Sequence, residues 1–235
     1  MITRVAVVPY PPLLLPELTV RAGSETARLR DACLRAVSSL TQSSAEWVAV
    51  GADRSGARVL GPHERGTYAG FGVDVPVALS DEPRGEPDPL FPLPALAAAW
   101  LREKSGAHRV EVRLLAADAP PSDCLDCGRA LAEEAQALLV LADGTNCAMP
   151  NSPYPPDDRA EPVDELIRGA LADADGERLL ELDPDLTAEV GVEGRAALQV
   201  LGGLPGTWRG ELLYSAAPFG VAYHVAVWTR TDVVA

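Results

Sequence analysis

The sequence predicts an α/β protein, with a mostly parallel central sheet, helices on both faces and a C-terminal antiparallel hairpin. Three observations carry this. Short β-branched runs at residues 5–8 and 47–50 stop at Pro9 and Gly51, as buried strands covered on both faces do. A helical stripe lies between them, which gives the strand–helix–strand order of a parallel crossover. Two strand-like runs close the chain, 210–214 and 221–228, flanking a turn at Ala217, Pro218, Phe219 and Gly220.

The elements follow in order. After the first strand, prolines make 9–16 a rigid loop. Apolar positions Ala27, Leu29, Cys33, Leu34, Val37 and Leu40 mark a helix over about 24–40, with Ser24 as its N-cap. Residues 56–72 are glycine-rich and carry His63, Tyr68 and Phe71, and 73–79 reads as a further strand. The stretch 81–94 holds five prolines and four acids, which oppose regular structure, so it is expected to wrap the surface or cover a site. Residues 96–104 read as helix, 110–115 as strand, 122–137 as helix and 138–141 as a buried strand. Asp143, Gly144, Thr145 and Asn146 then form a polar loop where an open α/β sheet binds ligands. A second proline-rich stretch spans 149–159, and helices are expected near 162–172, 176–182 and 194–201.

At 235 residues, 47% hydrophobic and 23% charged, the chain suits one globular domain. Twenty Lys and Arg against thirty-four Asp and Glu leave a net charge of −14, with no basic cluster. Nucleic-acid and anionic-membrane partners are therefore not expected. The first apolar run is too short for a signal segment and no later one reaches membrane length, so a cytoplasmic protein is expected. Cys33, Cys124, Cys127 and Cys147 lie at uneven spacing, which agrees with a reducing compartment.

Cys124 and Cys127 have metal or redox spacing, but a structural zinc site needs four ligands and no second pair is spaced to supply them. Small helix residues are the simpler reading. Of the three histidines, His224 alternates into a strand and reads as structural, and His108 reads as a surface residue. His63 lies in a loop after the second strand, either solvated or reaching the sheet's C-terminal edge. No serine elbow, Walker loop or dinucleotide fingerprint is present. There remain polar residues just past strands, Tyr10, Asp53, Asp143, Thr145 and Asn146, each of which turn chemistry alone also explains.

The order of several segments resembles the class III extradiol dioxygenase (LigB-type) superfamily, which includes the Memo-like proteins. The carriers are residues 7–17 around Tyr10, Pro11 and Pro12, then 48–53 ending at Asp53, then 66–72. They continue with 139–146, with Val192, Glu193, Gly194 and Arg195, and with 217–223. In that family two histidines and a glutamate hold non-haem Fe(II), and a further histidine serves as acid and base. Three protein ligands leave positions open for a catecholate and O₂.

On this resemblance Tyr10 and Asp53 stand where the two histidine ligands would be, and Glu193 keeps the carboxylate. Asn146 stands at the acid/base histidine, and Asp143 keeps the acid of that loop. The metal-ligating candidates are thus Tyr10, Asp53 and Glu193, and the catalytic candidates Asn146 and Asp143. An oxygen-only donor set suits Mg²⁺, Ca²⁺, Mn²⁺ or no metal better than Fe(II), and an amide cannot shuttle a proton.

The resemblance therefore implies a LigB-like protein with a degenerate iron site that binds a small ligand. Tyr10, Asp53, Asn146 and Glu193 would line its cleft, with His63 and Tyr68 as neighbouring contacts. Two alternatives stay open: an active metal-dependent dioxygenase or hydrolase with altered ligands, and a CxxC zinc or redox protein. An exposed sheet edge near the C-terminal hairpin would also allow a homodimer.

Overall fold

A computed structural model describes residues 1–19 and 23–232. Its main sheet has seven strands: β1 (Arg4–Val8), β2 (Glu46–Asp53), β3 (Arg58–Leu60), β6 (Arg109–Ala116), β7 (Ala137–Leu141), β8 (Trp208–Ala216) and β9 (Tyr223–Arg230). The strand order is β3-β6-β2-β7-β1-β9-β8. The middle four, β6, β2, β7 and β1, run parallel, whereas β3 pairs antiparallel with β6 at one side and, at the other, β9 pairs antiparallel with β1 and β8 antiparallel with β9. The fold class is as the sequence predicts, C-terminal hairpin included.

Alternation explains the two cores. From β1 and β7, Ala6, Val8, Leu139 and Leu141 face α1 (Ser24–Ser43) and α2 (Leu93–Ser105). Val5, Val7, Leu138 and Val140 face α3 (Pro121–Glu134), α4 (Ala160–Asp173) and α7 (Arg195–Gln199). Every residue of β7 is buried, as a central parallel strand requires. Between α4 and α7 lie two short helices, α5 (Gly176–Leu179) and α6 (Pro184–Glu189).

Several elements differ from the sequence reading. The strand expected at 73–79 shrinks to β5 (Pro76–Ala78), which pairs with β4 (Arg65–Thr67) in a separate two-stranded sheet. The main sheet's edge is instead taken by β3, three residues with Val59 exposed, too short to show a period. Ser24 is the first residue of α1 rather than its cap, and Gly23 occupies the cap position with no side-chain bond. Helix α3 ends at Glu134, because Ala135 is already extended and the chain must enter β7. The helix expected at 176–182 stops at Leu179, and α6 follows it unforeseen, although Asp183 before Pro184 is a cap signal: Asp183 accepts the Leu186 N–H at 2.8 Å. The span 194–201 divides into α7 and a 3-10 turn at 200–203.

Parallelism positions the site. The C-terminal ends of β1, β2 and β7 point the same way, so the loops at Tyr10, Asp53 and Asp143 gather at one edge of the sheet.

Candidate functional site

Tyr10 comes two residues after β1 and is 5% exposed. Its backbone N–H donates to Asp143 Oδ1 at 3.0 Å, which fastens the β1 loop to the β7 loop. Asp143, Glu193 and Asp53 are its charged neighbours. Burial above all, and then these three carboxyls, push the phenol well above its ordinary value, with Arg54 offsetting part of the effect. Tyr10 is therefore a neutral phenol, not a phenolate.

The carboxyl of Asp143 is pushed up to about 7 by burial and by Glu193, against the Tyr10 N–H that favours its charged form. Two further groups feel Asp143. Cys33 of α1 and Tyr223 of β9 are both raised, each by burial first and by Asp143 second. The sequence reading missed Cys33 and Tyr223 as neighbours of this carboxyl, because only the sheet order brings α1 and β9 beside the end of β7.

Asp53, the last residue of β2, accepts the Ser55 N–H at 2.9 Å in a local turn. Glu193 stands at the surface before α7, where its Oε1 accepts from Arg54 Nη2 at 2.6 Å. The absence of a side chain at Gly194 brings this loop against β7: a Cβ there would lie 2.5 Å from the Ala142 Cα. Beside Glu193 opens a cavity of about 300 Å³, lined in part by Arg54, Asp118, Asp185, Glu193 and Arg195. Arg195 is buried and fixed, donating to Ala119 O at 2.5 Å, Ala117 O at 2.8 Å and Gln199 Oε1 at 3.0 Å.

Asn146 belongs to the wall of this region. Its N–H donates to Val190 O at 3.2 Å and its amide lies against Gly191, so it seats the connection that carries Glu193.

Two expected contacts are not brought to the cleft. His63 comes after β3, which runs antiparallel and carries the chain to the opposite edge of the sheet. There its Nδ1 meets Glu82 O at 3.1 Å, in the open. Tyr68 is 1% exposed in the core beneath α2, with Phe71 at 6.0 Å between ring centres and Glu103 as its charged neighbour. A glycine-rich stretch read as loop is in fact folded around β4, which is why Tyr68 turns inward.

The donors do not fit Fe(II). No imidazole is present among them, Tyr10 is a protonated phenol, Glu193 is engaged by Arg54 and Asp53 by a backbone N–H. Among the described residues, no three His, Cys, Asp or Glu side chains stand close enough to share an ion.

Cys124 is buried and Cys127 half-buried on α3, and burial raises both thiols, Cys124 to about 11. His108 pairs with Asp81 at 3.1 Å on the surface. His224 is buried on β9, with Ser215 Oγ 3.0 Å from its Nδ1 and Asp164 Oδ1 3.7 Å from its Nε2. Among the described residues no helix is long and apolar enough to cross a membrane.

No protein-family model matches the chain, and no curated protein matches it in sequence. Among solved structures, it is similar to an uncharacterized protein of Escherichia coli, at 15% identity and a TM-score of 0.60. The match covers 97% of this chain and 99% of that one, and it speaks to the fold alone.

Proposed function

We propose that this chain is a divergent relative of the class III extradiol dioxygenases that binds a small polar molecule without iron chemistry. One observation carries the reading. Tyr10, Asp53 and Asp143, far apart in sequence, follow the C-terminal ends of three parallel strands, and Glu193, just before α7, is a charged neighbour of Tyr10 along with them. These are the positions at which the resemblance puts the metal ligands and the acidic residue of the catalytic loop. The framework is kept and the imidazoles are replaced. The net charge of −14 disfavours nucleic acid as a partner, and a cytoplasmic setting belongs to the same reading.

Asp143 favours a second reading, a metal-independent acid–base enzyme, because a carboxyl near neutrality can take and return a proton at working pH. Both readings keep the same cleft.

Elemental analysis of the purified protein, together with oxygen uptake on catechol and protocatechuate, tests the proposal. The expected result is no stoichiometric iron and no oxygen consumption. Stoichiometric iron accompanied by ring cleavage overturns it.

A further inference from the structure

We propose that Ser215, His224 and Asp164 form an acyl-transfer site, in which Ser215 attacks small uncharged esters, His224 takes its proton and Asp164 orients the imidazole. The proposal does not depend on the cleft at Tyr10.

The sheet register builds the first contact. Ser215 and His224 stand opposite one another in the β8–β9 ladder, and Ser215 Oγ lies 3.0 Å from His224 Nδ1. Tyr223 and Val225 pack toward α1 and α2, whereas Ala226 and Trp228 pack toward α4, so alternation turns His224 to α4. There Asp164 Oδ1 stands 3.7 Å from Nε2. Asp164 is itself fixed, because its Oδ1 accepts the Thr145 N–H at 2.9 Å and its Oδ2 accepts the Thr145 hydroxyl at 2.5 Å. Thr145 is fully buried.

The carboxylate selects the tautomer. A lone pair on Nε2 would face a carboxylate across an enclosed space, whereas an N–H there is attracted to it. Nδ1 is then the acceptor and the Ser215 hydroxyl donates to it, which is the state a general base needs. A histidine that served the core alone would have both nitrogens satisfied. His224 is 5% exposed, yet among the described residues its buried Nε2 has no hydrogen-bond partner. Such a gap closes when the ring gains a proton, since an imidazolium draws the carboxylate in. Ser215, at the other end, is exposed and open to a substrate.

The bonds and protons balance without a further reactant except water. Ser215 Oγ bonds to the ester carbonyl carbon as its proton passes to Nδ1; the ester C–O bond then breaks, and the alcohol leaves with that proton. Water, deprotonated by Nδ1 in turn, cleaves the acyl-serine and restores the hydroxyl. Asp164 and Glu165 of α4 are the acidic neighbours of His224, and they disfavour an anionic substrate. The turn of the same hairpin supplies Phe219, 43% exposed, as apolar surface for a short acyl chain.

Hydrolysis of p-nitrophenyl acetate and butyrate, with a fluorophosphonate probe located by peptide mass spectrometry, tests the site. Turnover above the buffer rate and labelling of Ser215 are expected. Ser215→Ala, a change at the surface, should abolish the labelling and lower kcat by at least about 100-fold. Asp164→Asn keeps an acceptor for the Thr145 N–H and should lower kcat roughly tenfold at unchanged KM, a split that loosened packing would not produce. Circular dichroism checks that both variants fold. A native protein inert toward both esters overturns the proposal, as does hydrolysis or labelling that survives Ser215→Ala. An Asp164→Asn variant with kcat intact overturns the three-residue assignment.

Discussion

The backbone N–H of Tyr10 and the Oδ1 of Asp143 lie 3.0 Å apart, so a side chain ties together the loops that leave two neighbouring parallel strands. The ladder between β1 and β7 ends at Val8 and Leu141, and the carboxyl of Asp143 carries the connection beyond it. The same carboxyl is pushed up to about 7 by burial and by Glu193. Local structure and candidate chemistry therefore share one group, and its protonation state affects both.

Stability should fall as pH rises through neutrality. The carboxyl of Asp143 is raised from 3.8 to about 7, so the folded protein holds this proton more tightly than the unfolded chain. Its contribution is complete below about pH 4 and is lost as pH climbs through about 7, a loss on the order of 2 kcal/mol given partial solvent access. Asp81, Asp157 and Asp232 are lowered by Arg102, Arg159 and Arg230 respectively. Their contributions are present above the ordinary carboxylate value and are lost as pH falls, outside this window. Urea denaturation near pH 5 and near pH 8 is the measurement. Asp143→Asn keeps an acceptor for the Tyr10 N–H and should flatten the difference; an unchanged difference would place its origin elsewhere.

Asn146 and Gly191 should be energetically coupled. Gly191 has φ of +77°, and a Cβ there would fall on the Asn146 amide. Gly191→Ala is expected to cost on the order of 2–4 kcal/mol, part backbone strain and part collision. Adding Asn146→Ala removes the collision and leaves the strain, so the double variant should recover about half of the loss. Strictly additive costs in this cycle would mean that Asn146 does not brace the loop bearing Glu193.

What was legible in the sequence, and what was not, follows from the range of the signals. The buried runs at β1, β2 and β7 announced the parallel sheet because strands covered on both faces have no polar alternation to confuse them. The edge strand β3 gave no such signal, since three residues with one side open carry no period. That omission misplaced His63. Without β3 the chain is free to return to the C-terminal edge, whereas β3 takes it to the other end. Tyr10, Asp53, Asp143 and Glu193 were readable as loop residues after strands or before a helix. Arg54, Cys33 and Tyr223 were not, because their relation to the cleft depends on an ion pair and on strand order rather than on any local pattern.

The four cysteines should be slow to react in the native protein. Cys33, Cys124 and Cys147 are buried and Cys127 is half-buried, and burial raises all four thiols. The thiolate is the nucleophile, so little of it exists at neutral pH. Titration with Ellman's reagent is expected to label Cys127 slowly in native protein and all four cysteines after denaturation. Cys124→Ser combined with Cys127→Ser should leave metal content unchanged and cost about 1–3 kcal/mol, for the hydroxyl buried at position 124. Rapid labelling of both, or zinc that disappears in the double variant, would revive a redox or zinc role for the pair.

Arg54→Ala should cost little stability. The Arg54–Glu193 pair spans 2.6 Å, but its side chains are 73% and 46% exposed, so water screens it. Exposed pairs of this kind are worth up to about 1 kcal/mol, and for a chain of this length the melting temperature should move by no more than roughly 2–4 °C. A shift that disappears in about 0.5 M salt would confirm a screened surface pair, whereas a larger loss that persists in salt would mean that Arg54 braces the loop bearing Glu193 by packing rather than by charge.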